Sequence, residues 1–441
     1  PRYTSYPPAN LFDNNYNENS FIKSILKSNN EDPESISIYI HIPFCPQICH
    51  FCGCTTETGF SYKFIERYVN AVITEIELVI NYIDMNRKVT QIHWGGGTPT
   101  HLDPDEISDL VSFIKQSFDF KENSEEGCEI DPRGLTRAHL EALRNGGFNR
   151  ISMGVQDFNE RVQKAVNRIQ PEDMTRQVVN WVRELGFESI NLDLIYGLPF
   201  QTVDEFAKTV DTIIDISPDR IAVFNYAHVP WMKKHMALIR PEDIPIPEEK
   251  LAILKMTVEK LTSAGYVFIG MDHFAKPEDE MAVALREKKL YRNFQGYSTH
   301  AGTDLYGMGI TSISQIGQVY AQNIKREKPY FEYLDEGNLP IERGYKLNQD
   351  DLLRRDVITK VMCDFELDFD WVEQKYKIDF EKYFAYALSN FGEMIDDGLV
   401  TIEKRKLTIS EMGRLMIRNV AMNFDGYIER KQDTARYSRT V

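Results

Sequence analysis

The chain has 441 residues, 42% hydrophobic and 27% charged, a composition that fits a soluble globular protein with one large domain and a smaller one. Its 51 Lys and Arg against 67 Asp and Glu leave a net charge of −16, which argues against nucleic acid as the main partner, because phosphate binding favours a basic face. No apolar run is long enough for a membrane span, and a small anionic ligand, which needs only a local cationic pocket, stays compatible with the charge.

Residues 1–34 are polar and read as an extended arm, Pro1 to Pro8, leading into a short helix near 18–28. Because Pro1 and not Met comes first, a short preceding segment is expected. From Ser35 short β-rich runs alternate with amphipathic ones. Strands are expected at Ile36–His41, Thr90–Trp94, Cys128–Asp131, Arg150–Val155, Ser189–Tyr196 and Arg220–Tyr226. Helices are expected near 61–84, 104–118, 136–145, 172–185 and 203–215, two of them closed by Gly146 and Gly186. Six βα units predict an α/β fold with a parallel sheet and helices outside, an open partial (β/α)₆ barrel rather than the closed eight-stranded one.

The strand ends carry polar or glycine signals: a cysteine loop after the first, Gly95-Gly-Gly-Thr-Pro99 after the second, then Glu129 and Asp131, Gln156 and Asp157, Asn191 and Asp193, and Asn225-Tyr-Ala-His228. Carboxyl ends of parallel strands are where such folds place ligands. One Asp there is as often a helix cap, but six successive ends point to a shared site. Beyond 245 come a helix near 247–264, a short strand at Tyr266–Gly270 and an irregular Gly-rich stretch over 293–309, expected to act as a cover. From about 330 the chain reads as helix-rich, with a hairpin over 398–410 that suggests a winged-helix-like module used for packing and substrate cover. The expected division is an arm over 1–34, a catalytic domain over 35–330 and a C-terminal domain over 331–441.

Four of six cysteines fall within His41-Ile-Pro-Phe-Cys-Pro-Gln-Ile-Cys-His-Phe-Cys-Gly-Cys54. Cys45, Cys49 and Cys52, spaced x₃ then x₂ on one loop, can hold three corners of a 4Fe–4S cube and leave the fourth iron open to a substrate or cofactor. Structural zinc sites usually use two ligand pairs a dozen or more residues apart, and a single cramped loop closes a tetrahedron poorly. Disulfides fit less well, with no secretory segment before the cluster and Cys128 and Cys363 scattered. An iron–sulfur site is the reading. Phe51, just before the third cysteine, either shields the cluster or packs on a flat cofactor, or is a plain core residue. Gly95-Gly-Gly97 fits neither the phosphate loop nor the dinucleotide fingerprint, so its expected use is close backbone approach to a polar ligand such as an amino acid moiety.

Together these features resemble the radical S-adenosylmethionine superfamily, and more closely the oxygen-independent coproporphyrinogen III oxidases (coproporphyrinogen dehydrogenases), over nearly the whole chain. The matching stretches are Pro1-Arg-Tyr-Thr-Ser-Tyr-Pro7, the cysteine loop with its extra Cys54, His93-Trp-Gly-Gly-Gly-Thr-Pro-Thr100 and Phe148-Asn-Arg-Ile-Ser-Met-Gly-Val-Gln-Asp-Phe158. Further matches are Asp193-Leu-Ile-Tyr-Gly-Leu-Pro199, Phe224-Asn-Tyr-Ala-His228, Gly270-Met-Asp-His-Phe-Ala275 and Asn293-Phe-Gln-Gly-Tyr297.

The resemblance implies one 4Fe–4S cluster on Cys45, Cys49 and Cys52 and two S-adenosylmethionine molecules. The first would meet Tyr39, Gly96, Glu129 and Ile313. The second would meet Phe51, Gly97, Thr98, Gln156, Arg168, Asp193 and Ala227. Glu129 and Asp193 can accept from ribose hydroxyls or an ammonium, and Arg168 can pair with a carboxylate. The competing reading of the last is an Arg–Asp structural pair inside the barrel mouth. Tyr39, Glu129 and Cys54 are the candidate catalytic residues, the role of Cys54 being unassigned. The implied activity converts two propionates of coproporphyrinogen III to vinyl groups, giving protoporphyrinogen IX in anaerobic haem synthesis. A haem-binding chaperone or haem-modifying relative is the alternative, and a plain electron-transfer protein a more distant one. Also implied are a one-electron donor such as flavodoxin or ferredoxin, a monomer and a cytoplasmic site. Arg2, Arg430, Lys431, Arg436 and Arg439 are candidates for the substrate's carboxylates if the termini fold over the site.

Overall fold

The computed structural model describes residues 3–31 and 35–429. The chain forms two compact units: one holds Asp13–Tyr266 and Gly302–Tyr345, the other the stretch through Phe12, Val267–Ala301 and the chain from Lys346. The arm expected over 1–34 is therefore divided, Tyr3–Phe12 falling in one unit and Asp13 onward in the other.

The first unit begins with α1 (Glu18–Asn30), capped by the Asn17 side chain on Ser20 N. The six expected strands follow as β1 (Ser35–Ile42), β2 (Lys88–Gly96), β3 (Phe120–Ile130), β4 (Arg150–Gln156), β5 (Ser189–Tyr196) and β6 (Arg220–Asn225). Each pairs parallel with the next, in register at Tyr39↔His93, Trp94↔Cys128, Glu129↔Ser152, Gly154↔Asp193 and Tyr196↔Asn225. Crossovers run through α2 (Tyr62–Ile80), α3 (Pro104–Ser117), α4 (Arg137–Asn145), α5 (Glu160–Ala165) with α6 (Glu172–Glu184), and α7 (Val203–Ile216). The start of α3 shows how sequence sets these ends. Asp103 caps Asp105 and Glu106, Glu106 reaches back to the Asp103 amide, and Pro104 sits where no donor is needed.

Period-two alternation divides the sheet's faces. Ile38, Ile40, Ile92, Trp94, Ile151, Met153, Leu192 and Leu194 are buried, whereas their neighbours Tyr39, His93, Glu129, Ser152 and Asp193 stay partly open on the other face. Polar residues thus share one face because each occupies the same parity of its strand.

Three features depart from the sequence reading. Helix α5 follows β4, capped by the Asn159 side chain on the amides of Arg161 and Val162. The stretch expected to be irregular over 293–309 contains strand Asp304–Met308, which pairs parallel with β1 and is buried throughout. Strands Ile313–Ile316 and Val319–Asn323 then add an antiparallel hairpin, so the sheet continues past β1.

The second unit packs around the helix Gln349–Asp364, whose Leu353, Val357, Ile358, Val361 and Met362 are buried. The hairpin expected over 398–410 is Val400–Glu403 against Lys406–Ile409, with Glu366–Asp368 completing a three-stranded sheet. Tyr3 donates to Asp425 Oδ2 at 2.9 Å, and the Tyr6 hydroxyl accepts from Gly426 N, tying the first residues into this unit. Arg2, Arg430, Lys431, Arg436 and Arg439 lie outside the described residues.

Candidate active site at the strand carboxyl ends

The cysteine loop leaves β1 at Pro43, and Phe44 anchors it. That ring is buried and meets Tyr68 edge-on at 5.2 Å, with Phe60 and Phe64 also against it. Backbone bonds hold the loop's shape: Cys45 N to Glu57 O at 3.0 Å, Glu57 N to Pro43 O at 2.8 Å, and Cys52 N to Cys49 O at 3.0 Å. On its far side His50 N donates to Val166 O, and Asn167 Nδ2 to Ile48 O.

The glycine loop after β2 lies directly on this one. Gly97 N donates to Ile42 O and Thr98 N to Phe44 O, both at 2.8 Å. A Cβ on Gly97 would stand 2.7 Å from the Phe44 carbonyl oxygen, and Gly96 has φ +111° with the His41 ring 2.6 Å from where its Cβ would be. Glycine is needed for the two loops to touch. The Thr98 side chain reaches Cys45 Sγ at 3.4 Å.

All six cysteines are free; Cys49 is buried, Cys45 and Cys52 half-buried and Cys54 exposed. Burial pushes the Cys45 thiol up to about 11 despite the Thr98 hydrogen bond. Cys52 falls to about 6, chiefly because Cys54 donates to its sulfur, with burial opposing and Thr56 and Lys233 assisting. Cys54 itself is driven well up by that bond, so it keeps the proton. Among the described residues no three His, Cys, Asp or Glu side chains are gathered tightly enough to hold a metal ion as they stand. The donor set nonetheless suits an iron–sulfur group: three free thiols on one pinned loop, one favouring thiolate, and a guanidinium nitrogen of Arg133 3.5 Å from Cys49 Sγ.

The inner face of β1 to β3 holds a chain of polar contacts. His41 Nε2 faces the Thr55 carbonyl at 3.1 Å and must carry the hydrogen, so Nδ1 accepts from the Tyr39 hydroxyl at 3.1 Å. Burial lowers the His41 pKa and keeps this ring neutral. Tyr39 also stacks beside His93 at 6.2 Å. His93 Nε2 lies 3.4 Å from Glu129 Oε1, and Gly96 N donates to Glu129 Oε2 at 3.2 Å. Burial alone would raise the Glu129 carboxyl, but His93 and the Gly96 amide outweigh it and hold it down. Burial would likewise lower His93, and Glu129 overrides it upward. The Glu129 side chain is still 44% exposed, open to a ligand.

On β4 to β6 the arrangement differs. Asp193 accepts from Asn191 Nδ2 at 2.7 Å and from Ser152 Oγ at 3.4 Å, yet burial, with Glu129 adding to it, raises its carboxyl to about 7. Gln156, in the left-handed region at φ 71°, has a buried Oε1 with no partner, and so does Asn225 Oδ1 at the end of β6. Two idle acceptors in a polar mouth fit a ligand that brings ammonium, amine or hydroxyl donors. Phe51 packs at the edge of an apolar cluster with Val162, Val166, Leu198 and Tyr226, and Ala227 follows half-buried after β6. Ile313 comes beside β1 through Gly307, which pairs with Tyr39 and would place a Cβ 2.9 Å from Ile313 O.

Arg168 does not meet Asp193. Its Nη1 donates to Asp131 Oδ2 at 3.0 Å, its Nη2 to Gly154 O at 2.7 Å and its Nε to Gln170 Oε1 at 3.1 Å. The structural Arg–Asp pair weighed for it exists, with Asp131 as the partner. Residues that sequence reasoning passed over are His41, Arg133 and the stretch after β6, where Lys233 Nζ donates to Cys54 O and His235 Nε2 to Cys52 O. His41 and His93 stood inside the motifs and signalled themselves only by adjacency. Lys233 and His235 had no signal at all.

A model of the radical SAM superfamily matches residues 39–213. The chain is 46% identical over 445 aligned residues to the oxygen-independent coproporphyrinogen III oxidase of Synechocystis, covering 100% of this chain and 95% of the relative. Against the Escherichia coli protein of the same name it is 44% identical, covering 100% and 96%. This chain belongs to the oxygen-independent coproporphyrinogen III oxidase family. A solved structure of the Escherichia coli coproporphyrinogen III oxidase, described as a radical SAM enzyme, superposes with a TM-score of 0.92 at 45% identity, covering 96% of this chain and 97% of that one. Membership in the family implies a 4Fe–4S cluster and S-adenosylmethionine. No helix among the described residues is long and apolar enough to cross a membrane.

Proposed function

We propose that this chain converts two propionate side chains of coproporphyrinogen III to vinyl groups without oxygen, consuming S-adenosylmethionine and releasing CO₂, to give protoporphyrinogen IX in haem biosynthesis. The observation that carries the reading is likeness over the whole length, 44–46% identity spanning 100% of the chain, rather than over the cysteine loop alone. When bound, the cluster and S-adenosylmethionine supply the one-electron chemistry that takes a hydrogen from the propionate β-carbon.

The chain's own residues bind, orient and exclude water. Cys45, Cys49 and Cys52 would hold the cluster, and Cys54 would lie beside Cys52 as a site residue without ligating. Tyr39, Gly96, Glu129 and Ile313 would hold one S-adenosylmethionine. Glu129, kept ionised by His93, accepts from its ammonium or ribose, and the bare backbone of Gly96 allows close approach. Phe51, Gly97, Thr98, Gln156, Arg168, Asp193 and Ala227 would hold a second. There the idle Oε1 of Gln156 accepts, while Arg168 acts through Asp131 and the Gly154 carbonyl. The catalytic domain would be 35–330, with an arm over 1–34 before it and a C-terminal domain over 331–441 after it. We further infer a cytoplasmic monomer fed by a one-electron donor such as flavodoxin or ferredoxin.

The test is anaerobic incubation of cluster-loaded protein with coproporphyrinogen III, S-adenosylmethionine and a reductant, with product porphyrins separated by chromatography. A tripropionate monovinyl intermediate should precede protoporphyrinogen IX. Tight haem binding with coproporphyrinogen III untouched, while S-adenosylmethionine is still cleaved, would overturn the reading.

A further inference from the structure

Two guanidiniums converge on one cysteine. Arg133 Nη2 lies 3.5 Å from Cys49 Sγ and Arg168 Nη1 lies 3.7 Å from it, and one carboxylate, Asp131, holds both. The Asp131 Oδ2 atom accepts from Arg133 Nη2 at 2.6 Å and from Arg168 Nη1 at 3.0 Å. The side chains are 12%, 8% and 7% exposed for Arg133, Arg168 and Asp131. Two cations and one anion leave this group with a net positive charge beside a sulfur.

The two arginines are not equivalent. Every nitrogen of Arg168 has a partner. Arg133 spends Nε and Nη2 on Asp131 and Cys49, and its Nη1 is buried with nothing to donate to. A buried N–H without an acceptor is costly, and this one lies beside a ligand sulfur, where a bound anionic group would complete it. Asp131 is bidentate to Arg133 and also takes its backbone amide, so the guanidinium is fixed before any ligand arrives. The short sequence Asp131-Pro-Arg133, immediately after β3, is what places it.

We propose that Arg133 is a positioning residue for the iron–sulfur cluster: it donates to the ligand sulfur of Cys49 and presents a second N–H to the anionic group, favouring its reduced state. The proposal rests on the assignment of the cluster to Cys45, Cys49 and Cys52. Reduction adds one electron from an external one-electron reductant to the cluster, with no bond made or broken, so the added negative charge sits nearer a fixed cation. Hydrogen bonds to the sulfurs and nearby charge are the protein's means of setting such potentials. Removing the cation should make the cluster harder to reduce.

The experiment is an anaerobic redox titration of reconstituted wild type, R133Q and R133K, read by electron paramagnetic resonance, with iron and sulfide counted and the fold checked by circular dichroism. R133Q should reduce at a more negative potential, a shift of about tenfold in the reduction equilibrium or about 59 mV for one electron. R133K, which keeps the charge, should recover part of it. A folded R133Q that cannot be loaded, beside an R133K that can, supports the role as well. A cluster in wild type with both variants at the wild-type potential overturns the role of Arg133 alone. A wild type that holds no iron and sulfide overturns the cluster assignment itself, and the proposal with it.

Discussion

His93 and Glu129 meet across β2 and β3 with Nε2 3.4 Å from Oε1, each shifting the other towards its charged form. The stabilising window of this pair follows from the two directions. The raised His93 contributes fully below its unfolded value of about 6.5 and loses that contribution as pH rises through its folded pKa. The lowered Glu129 contributes above about 4.3 and loses it as pH falls through its folded pKa. H93Q should therefore flatten the fall in thermal stability on the alkaline side of pH 6.5 in the ligand-free protein. It should also weaken S-adenosylmethionine binding, which equilibrium dialysis under anaerobic conditions can measure. An unchanged pH profile would mean the pair is not formed in solution.

Asp193 behaves in the opposite sense. Its carboxyl is raised to about 7 by burial and by Glu129, so the folded protein binds a proton that the unfolded chain has already lost. Stability is then lost as pH rises from about 4 towards 7. D193N should match wild type near pH 4 and exceed it at pH 8 by about 1–2 kcal/mol, the half-buried position discounting the full shift. The same variant should bind S-adenosylmethionine less well, an acceptor at the site having been replaced. Denaturant unfolding at the two pH values, beside a binding titration, separates the effects.

The two faces of the sheet were legible because Ile38, Trp94, Met153 and Leu192 alternate with Tyr39, His93, Ser152 and Asp193, a pattern only half-buried strands produce. The cysteine and glycine loops were legible from spacing. Asp304–Met308 was not, because a strand buried on both faces has no alternation and this one lies among glycines. Helix α5 is six residues long, too short to show a period. Arg133 gave no sign of its contact with Cys49, 84 residues away in the chain, since nothing local to either residue encodes it.

Gly97 should be far less tolerant than Gly53, though both adjoin the cysteine loop. A Cβ on Gly97 would stand within 2.8 Å of the Pro43 and Phe44 backbone, whereas nothing lies within 4 Å of one on Gly53. Backbone cannot rotate away as a side chain does. G97A should lose roughly 1–3 kcal/mol of stability and load less iron on reconstitution. G53A should load like wild type. Equal iron content in the two variants would show that the loops do not touch as described.

The last expectation concerns the thiols before any cluster is present. Cys52 at about 6 is mostly thiolate at pH 7.5, Cys45 at about 11 is not, and Cys54 keeps its proton. Thiolate is the nucleophile, so brief anaerobic treatment of cluster-free protein with iodoacetamide should alkylate Cys52 ahead of Cys45 and Cys54, as peptide mass spectrometry can resolve. C54A removes the S–H that stabilises the Cys52 thiolate, so the Cys52 pKa should rise and its labelling slow several-fold. The same variant should still bind about four irons with matching sulfide, because Cys45, Cys49 and Cys52 supply the three ligands, whereas C45A, C49A and C52A should not. Loss of iron in C54A would make Cys54 a ligand, and labelling of Cys54 before Cys52 would reverse the assignment of the shared proton.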